Sequence, residues 1–201
     1  MKIVISYIGI GFLSLFANSL TSQTTLDYKN RVHSEISDEF MVVSQNHHAT
    51  KVGYEILEQG GNAVDAAIAA SAVQAVVCPS ATGVGGDCFA IISMKNKKPI
   101  AVNGSGYAPK KANLEYFKNH KINKIDLLSP HSVTIPGSVH AWYTMHQKFG
   151  KLDFEQLFIT AQNYALNGYP VYEIAARDWN ENLLKLSKNQ NSKKIFLNNN
   201  K

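Results

Sequence analysis

Residues 53–91 read GYEILEQGGNAVDAAIAASAVQAVVCPSATGVGGDCFAI, and the fold is decided within them. Just upstream, Ala49, Val52, Ile56 and Leu57 fall on one helical face, with Lys51, Glu55 and Glu58 off it. Gly60-Gly61 stops that helix, with Gly60 at the position after the C-cap. Asn62 then caps a second helix, and Asp65 completes a capping box with Asp in place of Glu. The second helix, Ala63 to Val77, carries small apolar side chains on most sides. Neighbouring backbones can approach such a helix closely, so it is expected to be buried on nearly every face. It is too short to span a bilayer.

Cys78-Pro79 ends this helix, and Ser80 to Asp87 is a loop. Cys88 to Met94 reads as a strand, and Pro99 to Asn103 as its hairpin partner across Lys95–Lys98. Further strand candidates are Met41–Val43, upstream, and His131–Ile135, which ends at Pro136-Gly137. Short helices are expected at Leu114–His120, from Ser138 to Phe149, from Phe154 to Leu166 and within Val171–Leu186. Helix pairs, then a hairpin, then more helices make an α+β chain, not a βαβ series.

The ends differ in character. Met1-Lys2 precedes an uncharged apolar run, Ile3 to Phe16, followed by the small-x-small pattern Ala17-Asn18-Ser19. This predicts a signal peptide over 1–19 and export from the cytoplasm, without a stable membrane span. Residues 20–40 form a polar leader, 41–186 the folded part, and 187–201 a polar Asn/Lys-rich tail. The net charge of +5 comes mostly from scattered lysines, and the only arginines are Arg31 and Arg177. A nucleic-acid surface would need clustered arginines with interleaved aromatics, so nucleic acid is excluded as a partner.

The candidate motifs carry little chemistry by themselves. Gly83-Val84-Gly85-Gly86-Asp87 lies between helix and strand, the reverse of a phosphate-binding loop. Glycines there more simply permit positive φ and close backbone approach. His47-His48 are neighbours whose side chains diverge in an extended segment, and they read as surface or core histidines. Cys78 and Cys88 could pair across the Gly-rich turn or remain buried thiols, and they make no zinc site. Asp65, Asp87, Asp153 and Glu173 are scattered, and no Ser/His/Asp constellation is legible.

From Met41 to Val171 the sequence resembles the γ-glutamyltransferases. The resemblance rests on the 53–91 stretch, on HSVTIPGSVHAWYTMHQKFGKLDF (131–154) and on LNGYPV (166–171). It implies the αββα sandwich of N-terminal-nucleophile hydrolases, here only partly present. It further implies a precursor that cuts itself ahead of a threonine. That threonine, first residue of a small subunit, attacks a γ-glutamyl amide such as glutathione, and water or an amine resolves the acyl-enzyme. No metal or cofactor is implied. The partners implied are a small-molecule amide and a small subunit from the same precursor. The nucleophile is expected beyond Lys201, so no catalytic residue is assigned in this chain. The competing reading is a truncated, non-catalytic homologue or binding remnant.

One departure from the family pattern concerns specificity. Members commonly read Arg-Glu-x-Ala-Pro after the hairpin, or Asn-Gly-Ser-Gly-Arg-Ala-Pro in a subgroup. This chain reads Asn103-Gly104-Ser105-Gly106-Tyr107-Ala108-Pro109, with Ser105 in the first arginine slot and Tyr107 in the second. These are the candidate substrate-binding positions. Neither residue forms the bidentate charged pair that arginine makes with a carboxylate.

Overall fold

The computed structural model describes residues 36–197. The signal-peptide segment 1–19 and most of the leader lie outside the described residues. The elements run α1 (His47–Glu58), α2 (Ala63–Val77), β1 (Cys88–Ile92), β2 (Ile100–Gly104), α3 (Leu114–Asn119), α4 (Ser138–Phe149), α5 (Ile159–Asn167), α6 (Glu173–Glu181), α7 (Leu183–Ser187) and α8 (Gln190–Phe196). Short 3-10 turns occupy Pro130–Ser132 and Phe154–Phe158. The sheet is the antiparallel hairpin β1-β2, in a register pairing Cys88 with Gly104 and Ile92 with Ile100. The chain is thus α+β, helix-rich with few strands. No helix among the described residues is long and apolar enough to cross a membrane.

The first two helices form as the sequence predicts, except that α1 begins at His47: with Asn46 as the cap, His47 and His48 lie in its first turn and not in an extended segment, and their ring centroids approach to 4.3 Å instead of diverging. Asn46 caps α1 by accepting from His48 N at 2.9 Å, and Gly60, at φ 88°, breaks the helix. Asn62 caps α2 by accepting from Val64 N and Asp65 N, while Asp65 Oδ2 accepts from Asn62 N at 3.0 Å. The core gathers around α2: Ile68, Val73 and Val77 pack with Val52 and Ile56 of α1, Trp142 and Met145 of α4, and Leu157. Complete burial of one such aliphatic side chain contributes about 1.5–3 kcal/mol.

The same two cap residues reach across the fold. Asn62 Nδ2 donates to Phe149 O at the end of α4, at 2.6 Å. Asp65, fully buried, also accepts from Lys151 N at 3.1 Å and Leu152 N at 3.4 Å, with His146 Nε2 3.9 Å away. A buried carboxylate satisfied by backbone N–H groups fixes the start of α2 against the end of α4.

The expectation of burial on every face of α2 is corrected. Ala63 and Ala67 are exposed and Ser71 and Gln74 half-buried, a line of i, i+4, i+8 and i+11 positions along one side. Small size permits close packing but does not supply the neighbour, and among the described residues nothing covers this side.

Three expected elements also differ. Met41–Val43 is irregular, and so is His131–Ile135 after the Pro130–Ser132 turn. There Ser129 caps the turn by accepting from His131 N, and Pro130 at its first position presets φ. The helix expected over 154–166 begins as a 3-10 turn and becomes α-helical at Ile159. The Asn/Lys-rich tail contains α8, capped by Asn189, and Trp179 Nε1 donates to Phe196 O at 3.1 Å. Its polar composition concealed the helix because the cap and a single aromatic contact organise it, not an apolar stripe.

His48 is a core histidine. Its Nδ1 meets Tyr164 Oη at 3.2 Å and its Nε2 meets Tyr172 Oη at 3.3 Å. His47 is exposed but edge-on to the Tyr172 ring, and partial desolvation by its neighbours first and His48 second lower its pKa.

Candidate functional site

The hairpin delivers two loops to one end of the fold, and the segment before α4 binds them together. Asn103 Oδ1 accepts from Ser105 N at 3.0 Å, which folds the chain sharply as β2 ends. Gly106 then takes φ 74°, and a side chain there would collide with the Ile135 carbonyl. Ile135 N donates to Tyr107 O at 2.9 Å. Gly137 N and Ser138 N both donate to Gly86 O, at 3.1 and 3.0 Å. Segment 134–138 therefore clamps the Gly-rich loop and the 103–109 loop into one platform.

Thr134 sits at the centre of this platform. Its hydroxyl lies 3.1 Å from Ser105 O and 3.4 Å from Asp87 Oδ1, so it can donate to either. Neither Thr134 nor Asp87 stood out in the sequence as a site residue. Asp87 was one of several scattered carboxylates, and Thr134 is 29 residues from Ser105 and 47 from Asp87, beyond the reach of any local pattern.

Two adjoining clefts run beside the platform. One, of about 330 Å³, lies between the open side of α2 and β1, lined by Ala63, Ala67, Phe89, Ile91, Trp142 and Met145 among others. The other, of about 590 Å³, includes Ser71, Gln74, Thr82, Asp87 and Ser138 in its wall. Ser71, Cys88, Phe89 and Trp142 belong to both. Burial raises the Cys88 thiol pKa, opposed by a hydrogen bond with the Trp142 side chain. Cys78 and Cys88 are free thiols. Among the described residues, no group of three or more His, Cys, Asp or Glu side chains is placed to hold a metal ion.

The two positions singled out in the sequence part company here. Ser105 is half-buried, held at its N–H by Asn103 and at its carbonyl by Thr134. Tyr107 is 82% exposed, its backbone fixed and its ring in solvent. Neither forms part of either cleft wall, whereas Asp87 does.

Among the described residues, helices around one hairpin, with glycine-threaded loops clamped at its end, define a class first. Solved counterparts of this α+β unit include a transpeptidase and an acylase. The Helicobacter pylori γ-glutamyltranspeptidase superposes with a TM-score of 0.75 at 31% identity, covering 83% of this chain and 48% of that one. A cephalosporin acylase from Bacillus halodurans superposes with a TM-score of 0.68 at 30% identity, covering 80% of this chain and 31% of that one. The particular family follows from sequence: the chain belongs to the γ-glutamyltranspeptidase family, whose profile matches residues 49–201. Among curated relatives, the glutathione hydrolase-like YwrD proenzyme of Bacillus subtilis is 35% identical over 164 residues, which is 81% of this chain and 31% of the relative. The chain spans less than a third of the length of the curated relatives it matches.

Proposed function

We propose that this chain is the large-subunit portion of an exported γ-glutamyltransferase-like amidohydrolase with altered acyl specificity. The nucleophile is the threonine that begins a small subunit cut from the same precursor. Its hydroxyl attacks the amide carbonyl, its α-amino group takes the proton, and the amine leaves. Water or an acceptor amine then releases the acyl group, with backbone N–H groups holding the oxyanion. Residues 41–186 supply part of the αββα sandwich and the platform beside the acyl site.

The observation that carries the reading is the half-built sheet. Phe89 is 66% exposed and Ile91 79% exposed on the outward side of β1, next to the open side of α2. A strand this apolar on its outer face is normally covered by a second layer, and an unpaired strand edge invites another strand. Relatives named as proenzymes favour a small subunit as that layer. The altered specificity rests on Ser105 and Tyr107, since a clamped loop without arginine offers an acyl carboxylate no fixed cation. The name of the Bacillus halodurans acylase, which points to cephalosporin, favours a family broad in acyl group.

The test is expression from the complete reading frame. Purified protein should resolve into two chains, the smaller beginning with threonine, and replacing that threonine by alanine should leave one uncut chain. A single chain with no cleavage, or no threonine-initiated segment in the frame, overturns the enzyme reading in favour of a non-catalytic homologue.

A further inference from the structure

Asp87 gives the platform a sign of charge. Its side chain is exposed, it forms part of the 590 Å³ cleft, and it is the only Asp, Glu, Lys, Arg or His in that wall. No cation lies within ion-pair distance of it among the described residues. Among the described residues its side chain's one polar contact is the Thr134 hydroxyl, which also reaches the Ser105 carbonyl. The rest of the wall is neutral: the hydroxyls of Ser71, Thr82 and Ser138, the Gln74 amide, glycine backbone and apolar groups. The Thr134 hydroxyl, donating to one or the other, therefore lies between a carboxylate and the Ser105 carbonyl, and Ser105 is a position where the family resemblance places a guanidinium.

A carboxylate with no cation partner among the described residues, at the rim of a neutral cleft, acts on ligands through its sign. It repels an acyl chain that ends in a carboxylate and attracts one that carries an ammonium. When the Thr134 hydroxyl donates to Asp87 and not to Ser105, it holds the carboxylate at the edge of the cleft. We propose that the acyl site selects amides whose acyl chain carries a cationic amine and no carboxylate, with Asp87 as the residue that sets this preference. The inference rests on the amidohydrolase reading above and adds the substrate class.

The test uses the processed protein expressed from its complete reading frame and two anilides. The γ-aminobutyryl and glutaryl anilides are the γ-glutamyl compound stripped of its carboxylate and of its amine, respectively. The expected kcat/KM ratio favours γ-aminobutyryl by about tenfold or more, a difference of about 1.4 kcal/mol in transition-state binding. Asp87→Asn should bring that ratio toward one, chiefly through KM. Asp87→Lys should invert it, and Asp87→Glu should retain it. Raising the salt concentration should shrink the preference in the native protein. Equal or better use of the glutaryl anilide by the native protein overturns the inference alone. So does a ratio that Asp87→Asn and Asp87→Lys leave unmoved. Hydrolysis of neither anilide, nor of the γ-glutamyl anilide, overturns the amidohydrolase reading and this inference with it.

Discussion

On one side of α2, Asp65, Ile68, Ala69, Val73 and Val77 are buried against α1, α4 and the Phe154–Phe158 turn. On the other, Ala63, Ala67 and Ser71 form the wall of an open groove facing β1. Alanine occupies both sides, although the larger Ile68, Val73 and Val77 lie on the closed one. What differs is the neighbour. The closed side has apolar partners and a carboxylate that ties three backbone N–H groups, from Asn62, Lys151 and Leu152. The open side has exposed Phe89 and Ile91 for company. The closed side accounts for the stability of this unit, and the open side is where the remainder of the protein is proposed to act.

The largest expected effect tests the closed side. Asp65→Ala strands buried N–H groups and should cost about 3 kcal/mol or more. For a chain of this length that lowers Tm by roughly 6–12 °C. Thermal unfolding followed by circular dichroism measures it. A loss below about 1 kcal/mol would mean the knot between α2 and α4 is not what holds the two together.

The comparison sharpens with one substitution made on each side. Ala70→Leu enlarges a residue only 7% exposed and should overpack the core by about 1–3 kcal/mol. Ala67→Leu points into the groove and should leave the unfolding midpoint of this unit nearly unchanged, while hindering association with a separately produced small subunit. Equal destabilisation by both would erase the distinction between the sides.

A third substitution probes the platform beside the open side. Tyr107→Arg, in protein from the complete reading frame, should raise kcat/KM for a γ-glutamyl anilide about tenfold, which is about 1.4 kcal/mol. An arginine there supplies the cation that a carboxylate pairs with. Unchanged turnover in a stably folded variant would leave the exposed tyrosine ring without a part in substrate binding.

The smallest effect is a pH dependence. His47, though exposed, has its pKa held below its ordinary value of 6.5, first by partial desolvation and then by His48. The folded chain resists protonating it, so the unfolded chain binds more protons just below that value. Its contribution is fully present above pH 6.5 and is lost as pH falls through that value toward the folded pKa. His47→Gln should slightly flatten the fall in stability between about pH 7 and 5. A urea-unfolding series across that range reads the difference, and identical slopes would remove His47 from the account.

The elements from α1 to β2 were legible because their signals are local. A capping box lies within three residues, a helix stop is one glycine, and a hairpin follows from two apolar runs around a turn. The family was legible because the order and spacing of such signals extend over most of the chain. The Pro130–Ser132 turn was missed because proline and a serine cap outweighed a short apolar alternation. The clamp at Thr134 was not readable at all, since its partners are remote in sequence.

By itself, then, the sequence determined the helix boundaries around Gly60 and Asn62, the hairpin, the family, and the absence of arginine at Ser105 and Tyr107. These follow from propensity, capping and identity at fixed positions, which need no knowledge of distant neighbours. Tertiary structure alone decided which side of α2 stays open, that Asp65 binds the end of α4, and that Asp87, Thr134 and Ser105 meet. Burial and hydrogen bonding depend on what the rest of the chain brings within a few ångströms, and no local pattern of alanines or glycines encodes that.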